Sequence, residues 1–396
     1  TGSNNTSLGY NSLSANSTAN DNTAIGAHAL DDNTTGSENV GVGVSALANN
    51  TTGSKNFAFG WHSMLSNTTG NQSCAFGASS LKSSNGSYNN AFGHQALEEN
   101  TTGSMNIAMG LRALEQNTTG DSNVAIGHAA LTANTTADGN TALGANALSV
   151  NTTGHSNVAI GRQALDANST GSSNTAIGQN AAGSWTGSNI TAMGYHALLN
   201  CTTGGQNTAF GDNALQGCAT GQDNVAVGTN ALYSMTGSYC VAVGRYANML
   251  ATGNSNTSVG YNAGYHTTSG TNNSNFGHGA SPSTATVSNE ITLGNTTNDN
   301  LRCNDTSISS LSDRRDKTDI VDLPAGLDFI NTLQPRKFKW QTRDGNIKDG
   351  RIRAGFIAQE LQSAQEDYKY LDLVMENNPE RLEAKQEHLV PVLVQA

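Results

Sequence analysis

Apolar and polar positions alternate in short blocks that return every 16 or 17 residues, and each block ends at a glycine. In the block Asn157 to Gly161, Val158 and Ile160 point to one side and Asn157 and Ala159 to the other. This pattern predicts a short β-strand with one apolar face. One unit is too short to bury that face alone, so stacked units must share a core, as in solenoids. The glycines in register are Gly9, Gly26, Gly43, Gly60, Gly77, Gly93, Gly110, Gly127, Gly144, Gly161, Gly178, Gly194, Gly211, Gly228, Gly244, Gly260, Gly277 and Gly294.

The two slots before each of these glycines differ in character. The slot immediately before the glycine stays apolar but varies in volume, which predicts that it forms the stacked core. The slot two before the glycine stays small, which predicts a close approach to another backbone. The glycine itself is expected to supply a positive φ or a tight bend. The variable slot holds Ile25, Val42, Phe59, Phe76, Phe92, Met109, Ile126, Leu143, Ile160, Ile177, Met193, Phe210, Val227 and Val243. The small slot holds Ala24, Ala58, Ala75, Ala91, Ala108, Ala125, Ala142, Ala159, Ala176, Ala192, Ala209, Ala226 and Ala242.

The rest of each unit predicts a second anchor and a turn. A leucine four residues after the glycine, such as Leu131 or Leu165, recurs in most units. The stretch before it, such as 162–165, is either extended or one helical turn, and Asn-Thr-Thr-Gly reads as a turn. At the usual strand spacing, about 17 coils give a rod of roughly 80 Å with ladders of stacked Asn and Thr. The pattern leaves open the handedness and whether three chains intertwine or stand side by side.

Charge divides the chain into two parts. Residues 1–300 contain 5 Lys or Arg and 14 Asp or Glu, whereas residues 301–396 contain 14 Lys or Arg and 16 Asp or Glu. The repeats therefore have no basic stripe for nucleic acid, and no run of residues is apolar enough to span a membrane. The strict register of the apolar slots argues against the disorder that such a polar composition can produce. Because Thr1 is not an initiator, we expect an anchoring N-terminal region to be missing.

The five cysteines, Cys74, Cys201, Cys218, Cys240 and Cys303, form no disulfide framework, CxxC pair or metal cluster, so no metal or cofactor is expected. Cys201 and Cys218 occupy the same slot of adjacent units, where either a disulfide or two thiols would fit. Asn-Thr-Thr triplets also match the N-glycosylation pattern. Either repeat geometry explains them, or they carry glycans in a eukaryotic host. The triplets in question begin at Asn33, Asn50, Asn67, Asn100, Asn117, Asn134 and Asn151.

A different module follows the repeats. Its ordered blocks are 312–320 (SDRRDKTDI), 327–335 (LDFINTLQP), 338–340 (FKW), 355–361 (GFIAQEL) and 389–394 (LVPVLV). Residues 308–396 thereby resemble the intramolecular chaperone domain of phage tail fibres, tailspikes and endosialidases, the S74 peptidase family. The resemblance implies a small α+β domain at 312–396. The end of the repeat register places the β-solenoid at 1–294 and a linker at 295–311. The family's long C-terminal coiled-coil helix is missing. Phe329, Leu333, Phe338 and Trp340 are expected to form the small core.

The resemblance also implies chemistry. Ser312 would be the nucleophile, the chain would be cut between Ser312 and Asp313, and Lys317 would be the general base. Serine needs such a base to lose its proton, and a lysine serves when burial or nearby cations lower its pKa. Attack within the same chain needs no substrate pocket, because proximity supplies much of the rate. Glu360 either lies solvated on a helix surface or acts as an acid/base residue.

The repeats loosely resemble the β-roll heads of trimeric autotransporter adhesins. The leading hypothesis is a homotrimeric phage tail fibre or tailspike that binds a host-surface glycan or protein, outside the cell on the virion. Its C-terminal module would direct trimerisation and cut itself once. The alternative is a structural filament or surface adhesin without autocleavage or specific receptor. A polysaccharide-cleaving enzyme is disfavoured because no recurring pair of acids is present. Trp61, Trp185, Tyr195 and Tyr265 could stack on sugars or pack at the repeat edges.

Overall fold

A computed structural model describes residues 2–298, 314–339, 350–376 and 382–396. The repeats form a β-solenoid of 18 short strands, in which each strand pairs in parallel and in register with the next along the chain. The predicted fold class is thus confirmed. The strands are β1 Thr6–Leu8, β2 Thr23–Ile25, β3 Val40–Val42, β4 Phe57–Phe59, β5 Cys74–Phe76, β6 Asn90–Phe92, β7 Ile107–Met109, β8 Val124–Ile126, β9 Thr141–Leu143, β10 Val158–Ile160, β11 Thr175–Ile177, β12 Thr191–Met193, β13 Thr208–Phe210, β14 Val225–Val227, β15 Val241–Val243, β16 Thr257–Val259, β17 Ser274–Phe276 and β18 Ile291–Leu293.

The glycine after each strand, here called the strand glycine, has the predicted positive φ. Gly127, for example, has φ +135°, and a Cβ built on it would lie 2.6 Å from the carbonyl oxygen of Gly144 in the next coil. Both the backbone conformation and the close stacking of coils exclude any larger residue. We name each coil by its strand glycine and call the six residues after it the second side.

The second side is neither a regular strand nor a helical turn. Ala129 and Leu131 are both left-handed, with φ +54° and +51°. This conformation is unfavourable for residues with a Cβ. It is offset by hydrogen bonds to neighbouring coils, since the Leu131 N–H donates to the Ala147 carbonyl at 3.0 Å and the Ala129 N–H to the Leu111 carbonyl at 2.9 Å.

The strand face that points into the solenoid is not the one that was predicted. The small alanine slot points into the solenoid, where Ala125 is fully buried, whereas the variable apolar slot, such as Ile126, points outward and is half-buried. Gly41 shows why only a small residue fits inside: a Cβ there would lie 3.0 Å from the Ala46 carbonyl oxygen of the same coil. The predicted close approach is correct, and the predicted core slot is wrong, because the interior is too narrow for large strand residues. The leucine anchors, such as Leu131, are buried as predicted.

Two buried asparagine ladders run along the inside and confirm the predicted polar stacking. At the strand start, the Asn123 N–H donates to Asn106 Oδ1 at 2.9 Å. At the Asn-Thr-Thr turn, Asn117 Nδ2 donates to Asn100 Oδ1 at 2.7 Å and to the Gly120 carbonyl at 3.0 Å. Each asparagine thus satisfies polar groups that the turns leave inside the coil.

The C-terminal part is a small α+β unit, as predicted. Its core contains Ala325, Phe329, Leu361, Leu373 and Val392, with Leu333 packed against it and Phe338 half-buried; Trp340 lies outside the described residues. The helices are α1 Leu327–Ile330, α2 Ala358–Ala364 and α3 Leu389–Gln395, with 3₁₀ helices at Arg314–Asp316, Lys369–Leu371 and Gln386–His388. The strand pairs are β19 Arg336–Lys339 with β20 Ile352–Gly355 and β21 Val374–Met375 with β22 Glu383–Ala384, both antiparallel.

Candidate functional site: self-cleavage segment and rod surface

The predicted cleavage site lies at the start of the C-terminal part. Ser312 and Asp313 fall outside the described residues. The predicted base, Lys317, directly follows the 3₁₀ helix Arg314–Asp316, and its backbone N–H donates to the Arg314 carbonyl at 3.3 Å. Lys317 and the next residues, through 322, are exposed. The roles of Ser312, Asp313 and Lys317 stay predictions.

Glu360 is part of an ion pair that fastens α2 to β19. Arg336 Nη2 and Nε lie 2.6 and 2.9 Å from the two Glu360 carboxylate oxygens. The hydrogen bond from Arg336 lowers the pKa of Glu360. A carboxylate held in its charged form by a bidentate arginine is a structural contact, which supports the surface interpretation over an acid/base role.

Residues 312–370 match the family model described as the chaperone of endosialidase, peptidase S74. The C-terminal part of this chain is an S74 chaperone domain. The matched range begins at Ser312 and includes Lys317, α1, the β19–β20 pair and α2. A chaperone domain that follows a long β-solenoid is consistent with a tail fibre or tailspike. No curated protein matches the chain.

An apolar stripe runs along the whole solenoid ahead of the chaperone domain. It consists of the residues immediately before the strand glycines, and none of them is buried. Phe76 is 57% exposed and Phe210 is 54% exposed, and the Phe76 ring stacks between those of Phe59 and Phe92 at 5.7 and 6.4 Å. Exposed apolar patches larger than a few hundred Å² mark interaction surfaces. The stripe comprises Leu8, Ile25, Val42, Phe59, Phe76, Phe92, Met109, Ile126, Leu143, Ile160, Ile177, Met193, Phe210, Val227, Val243, Val259, Phe276 and Leu293.

The four aromatic residues that could stack on sugars differ in exposure. Trp185 is fully buried, takes the place of a ladder asparagine and donates from Nε1 to Asn174 Oδ1 at 3.1 Å, so it is not available to stack on a sugar. Trp61 is 54% exposed, and its ring stacks on His62 at 3.7 Å. Tyr195 stacks in the same way on its neighbouring histidine, and Tyr265 packs on Tyr246 at 6.3 Å.

The cysteine slot and the Asn-Thr-Thr triplets are internal. Cys201 and Cys218 are fully buried free thiols in adjacent coils, and their mutual hydrogen bond together with burial raises the pKa of Cys201. The triplet asparagines are fully buried in the ladder, and an N-glycan on any of them would have to occupy the interior of the folded solenoid. Repeat geometry therefore explains the triplets.

Within the described residues, no group of three or more His, Cys, Asp or Glu is placed to hold a metal, and no helix is long and apolar enough to cross a membrane.

Proposed function

We propose that this chain is the distal part of a phage tail fibre or tailspike. It acts as a homotrimer on the virion, outside the host cell, and attaches to a host-surface glycan or protein. Its S74 domain directs trimerisation and then cuts the chain between Ser312 and Asp313. The observation that carries this proposal is the apolar stripe, which runs the full length of a rod that ends in a chaperone domain.

The stripe supports self-association because of its size, and the chaperone family, which implies trimerisation, supports the number three. A fully buried aromatic side chain covers about 150–250 Å², so a half-exposed one such as Phe76 leaves on the order of 100 Å² open to water. Smaller contributions from the other coils bring the stripe to about the 800 Å² per partner that a stable interface needs. Another copy of the same rod presents the same apolar row at the same coil spacing, so it matches the stripe along its whole length.

The uniformity of the rod explains why a chaperone would be needed. Each coil pairs with its neighbours through the same three-residue register, as in Val124↔Thr141 and Val158↔Thr175. Rods that associate with a shift of one coil would lose only the contacts at their ends. A C-terminal domain that first joins three chains sets the register, after which the chaperone has no further role and can be released.

The oligomeric state is tested by light scattering of the purified protein, for which a particle of three chains is expected; each chain weighs 40.9 kDa before self-cleavage, and the rod retains residues 1–312 after it. A double substitution in the stripe, Phe76→Glu with Phe210→Glu, should shift the particle towards monomers. The matched control, Trp61→Glu with Tyr195→Glu, changes exposed aromatics that are not part of the stripe and should remain trimeric. A monomeric wild-type rod would refute the trimer.

Self-cleavage is tested by denaturing electrophoresis and intact-mass measurement after expression. The wild type should yield fragments 1–312 and 313–396, and Ser312→Ala and Lys317→Ala should remain full-length. Ser310→Ala, a serine two residues upstream, serves as the control and should be cut normally. An unchanged fragment pattern in Ser312→Ala contradicts the assigned nucleophile.

A further inference from the structure

A groove of about 310 Å³ opens on the second side of coils Gly161, Gly178 and Gly194. It is lined by Gln163, Asp166, Asn180, Gly183, Ser184 and Leu199. This volume lies at the small end of the range for small-molecule sites. The groove belongs neither to the apolar stripe nor to the chaperone domain.

The groove exists because one side chain is missing. Gly183 lies five residues after its strand glycine, where the preceding and following coils carry Asp166 and Leu199. A Cβ on Gly183 would lie 3.1 Å from Leu199 Cδ1 and 3.5 Å from Asp166 Oδ1. In the sequence, no other repeat has glycine in this slot. The two neighbouring side chains thus form the walls of a gap one coil wide.

The carboxylate in the groove differs from the other acids in the same slot. Asp31 lies 2.8 Å from His28 Nδ1, Glu98 lies 3.3 Å from a lysine, and Glu115 lies 2.7 Å from an arginine. The side-chain contact of Asp166 is with the neutral amide of Gln163, at 3.5 Å. Burial raises the pKa of Asp166, and no cation contributes to that shift. Its oxygens therefore face the groove next to a neutral donor.

An aromatic surface lies beside these polar groups. Asn180 Nδ2 lies 3.3 Å from His196 Nε2, and the His196 ring stacks on Tyr195 at 3.7 Å. Tyr195 is 47% exposed and lies beside the groove rather than in its lining. The Asn180 Oδ1 atom is buried without a hydrogen-bond partner. A carboxylate, amides and a half-exposed aromatic ring are thus gathered within three adjacent coils.

We propose that this groove binds one neutral pyranose unit of a surface glycan, with Tyr195 stacking on the sugar or its neighbour. Vicinal hydroxyls donate to the Asp166 carboxylate and accept from the Gln163 amide, and the C–H face of the sugar ring packs on the aromatic ring. The carboxylate, with no cation in contact, disfavours phosphate, sulfate and acidic sugars. The inference rests on the adhesion proposed above and gives it a location and a ligand class.

The test uses the purified wild-type protein on an array of neutral and acidic oligosaccharides, followed by titration of the strongest neutral oligosaccharide. Wild type should bind neutral sugars. Asp166→Asn and Gly183→Ala should each weaken binding by about tenfold or more, because they remove a charged acceptor or fill the gap. Gly183 does not require a positive φ, so alanine is compatible with its backbone. Asp31→Asn, at the same slot of a distant coil, is the control and should bind as wild type.

The possible outcomes distinguish a failure of the groove assignment from a failure of the adhesion proposal. If wild type binds neutral sugars and both groove variants bind equally well, the groove assignment is wrong and the adhesion proposal stands. If wild type binds acidic sugars alone or no sugar, the groove proposal is overturned, and the trimer and self-cleavage are judged by their own assays. If a groove variant has an altered circular dichroism spectrum, Gln163→Ala replaces it, with the same expected loss.

Discussion

Removing one rung of the inner asparagine ladder should destabilise the rod by several times the effect of a surface change. Asn117 Nδ2 donates to Asn100 Oδ1 at 2.7 Å and to the Gly120 carbonyl at 3.0 Å, and its Oδ1 accepts from Asn134 Nδ2 at 2.8 Å. Asn117→Ala removes all three hydrogen bonds from a fully buried position. At about 1 kcal/mol for each bond, the free energy of unfolding should fall by about 3 kcal/mol.

The neighbouring groups limit the loss to that size. The Gly120 carbonyl still accepts from Asn106 Nδ2 at 2.8 Å, and Asn134 Nδ2 still donates to the Ala137 carbonyl at 3.0 Å. Only Asn100 Oδ1 loses the partner that the structure gives it. We therefore expect a local weakening of coils Gly93 to Gly127 rather than collapse of the whole rod, since coils interact chiefly with their neighbours.

The assay is urea unfolding at fixed chain concentration, combined with hydrogen–deuterium exchange to locate the weakened coils. Thr119→Ala is the control, because Thr119 is an exposed residue of the same turn and should change stability by less than about 0.5 kcal/mol. Asn117→Ser should lose less than alanine, since Ser84 fills this slot naturally and accepts from Asn100 Nδ2 at 2.9 Å. Equal unfolding of Asn117→Ala and Thr119→Ala would refute the stabilising role of the ladder.

Three further predictions concern single positions. Gly127→Ala should prevent normal coil stacking, seen as lost circular dichroism or insolubility, because its Cβ would lie 2.6 Å from the Gly144 carbonyl oxygen; a soluble variant of unchanged stability would contradict this. Burial raises the pKa of Asp166 in the folded protein. The contribution of Asp166 to the free energy of unfolding is therefore complete below its unfolded-state pKa of about 3.8 and is lost as the pH rises through its folded-state pKa. Asp166→Asn should therefore unfold at a higher urea concentration than wild type at pH 7 and at the same concentration near pH 3. Asp31→Asn should instead unfold at a lower urea concentration than wild type at pH 7, because a hydrogen bond to the neighbouring histidine lowers the pKa of Asp31. Burial raises the pKa of the Cys240 thiol to about 11, so iodoacetamide at pH 8 should label it only after denaturation, and rapid labelling of the native protein would argue against its burial.

The chaperone domain and its candidate site were predictable to different extents. The ordered blocks from Ser312 onward indicated the S74 family, and the family model matches residues 312–370. The α+β character and the core position of Phe329 also followed from the sequence. The pairing of Glu360 with Arg336 did not, because these residues lie 24 positions apart and meet only when α2 packs beside β19.

The groove and the apolar stripe had weaker signals in the sequence. Gly183 is the one glycine in its slot, and it lies in a 16-residue unit between Gly178 and Gly194. That irregularity could have indicated a gap, but the orientation of Asp166 and Leu199 around it depends on the stacking of three coils. Trp185 likewise looked like a surface aromatic until the structure placed it in the buried ladder.

The repeat, the stacking of coils, the positive φ of the strand glycines and the asparagine ladders were all predictable from the amino-acid sequence alone. Each of these follows from a period and from the steric limits of one residue type. Which strand face lies inside depends on the folded coil, because alternation defines two faces and does not say which of them is buried. The interior of the coil is so narrow that a Cβ at Gly41 would already lie 3.0 Å from a backbone oxygen. Alanine and asparagine therefore fill the inside, and residues such as Ile126 and Phe76 form the stripe outside.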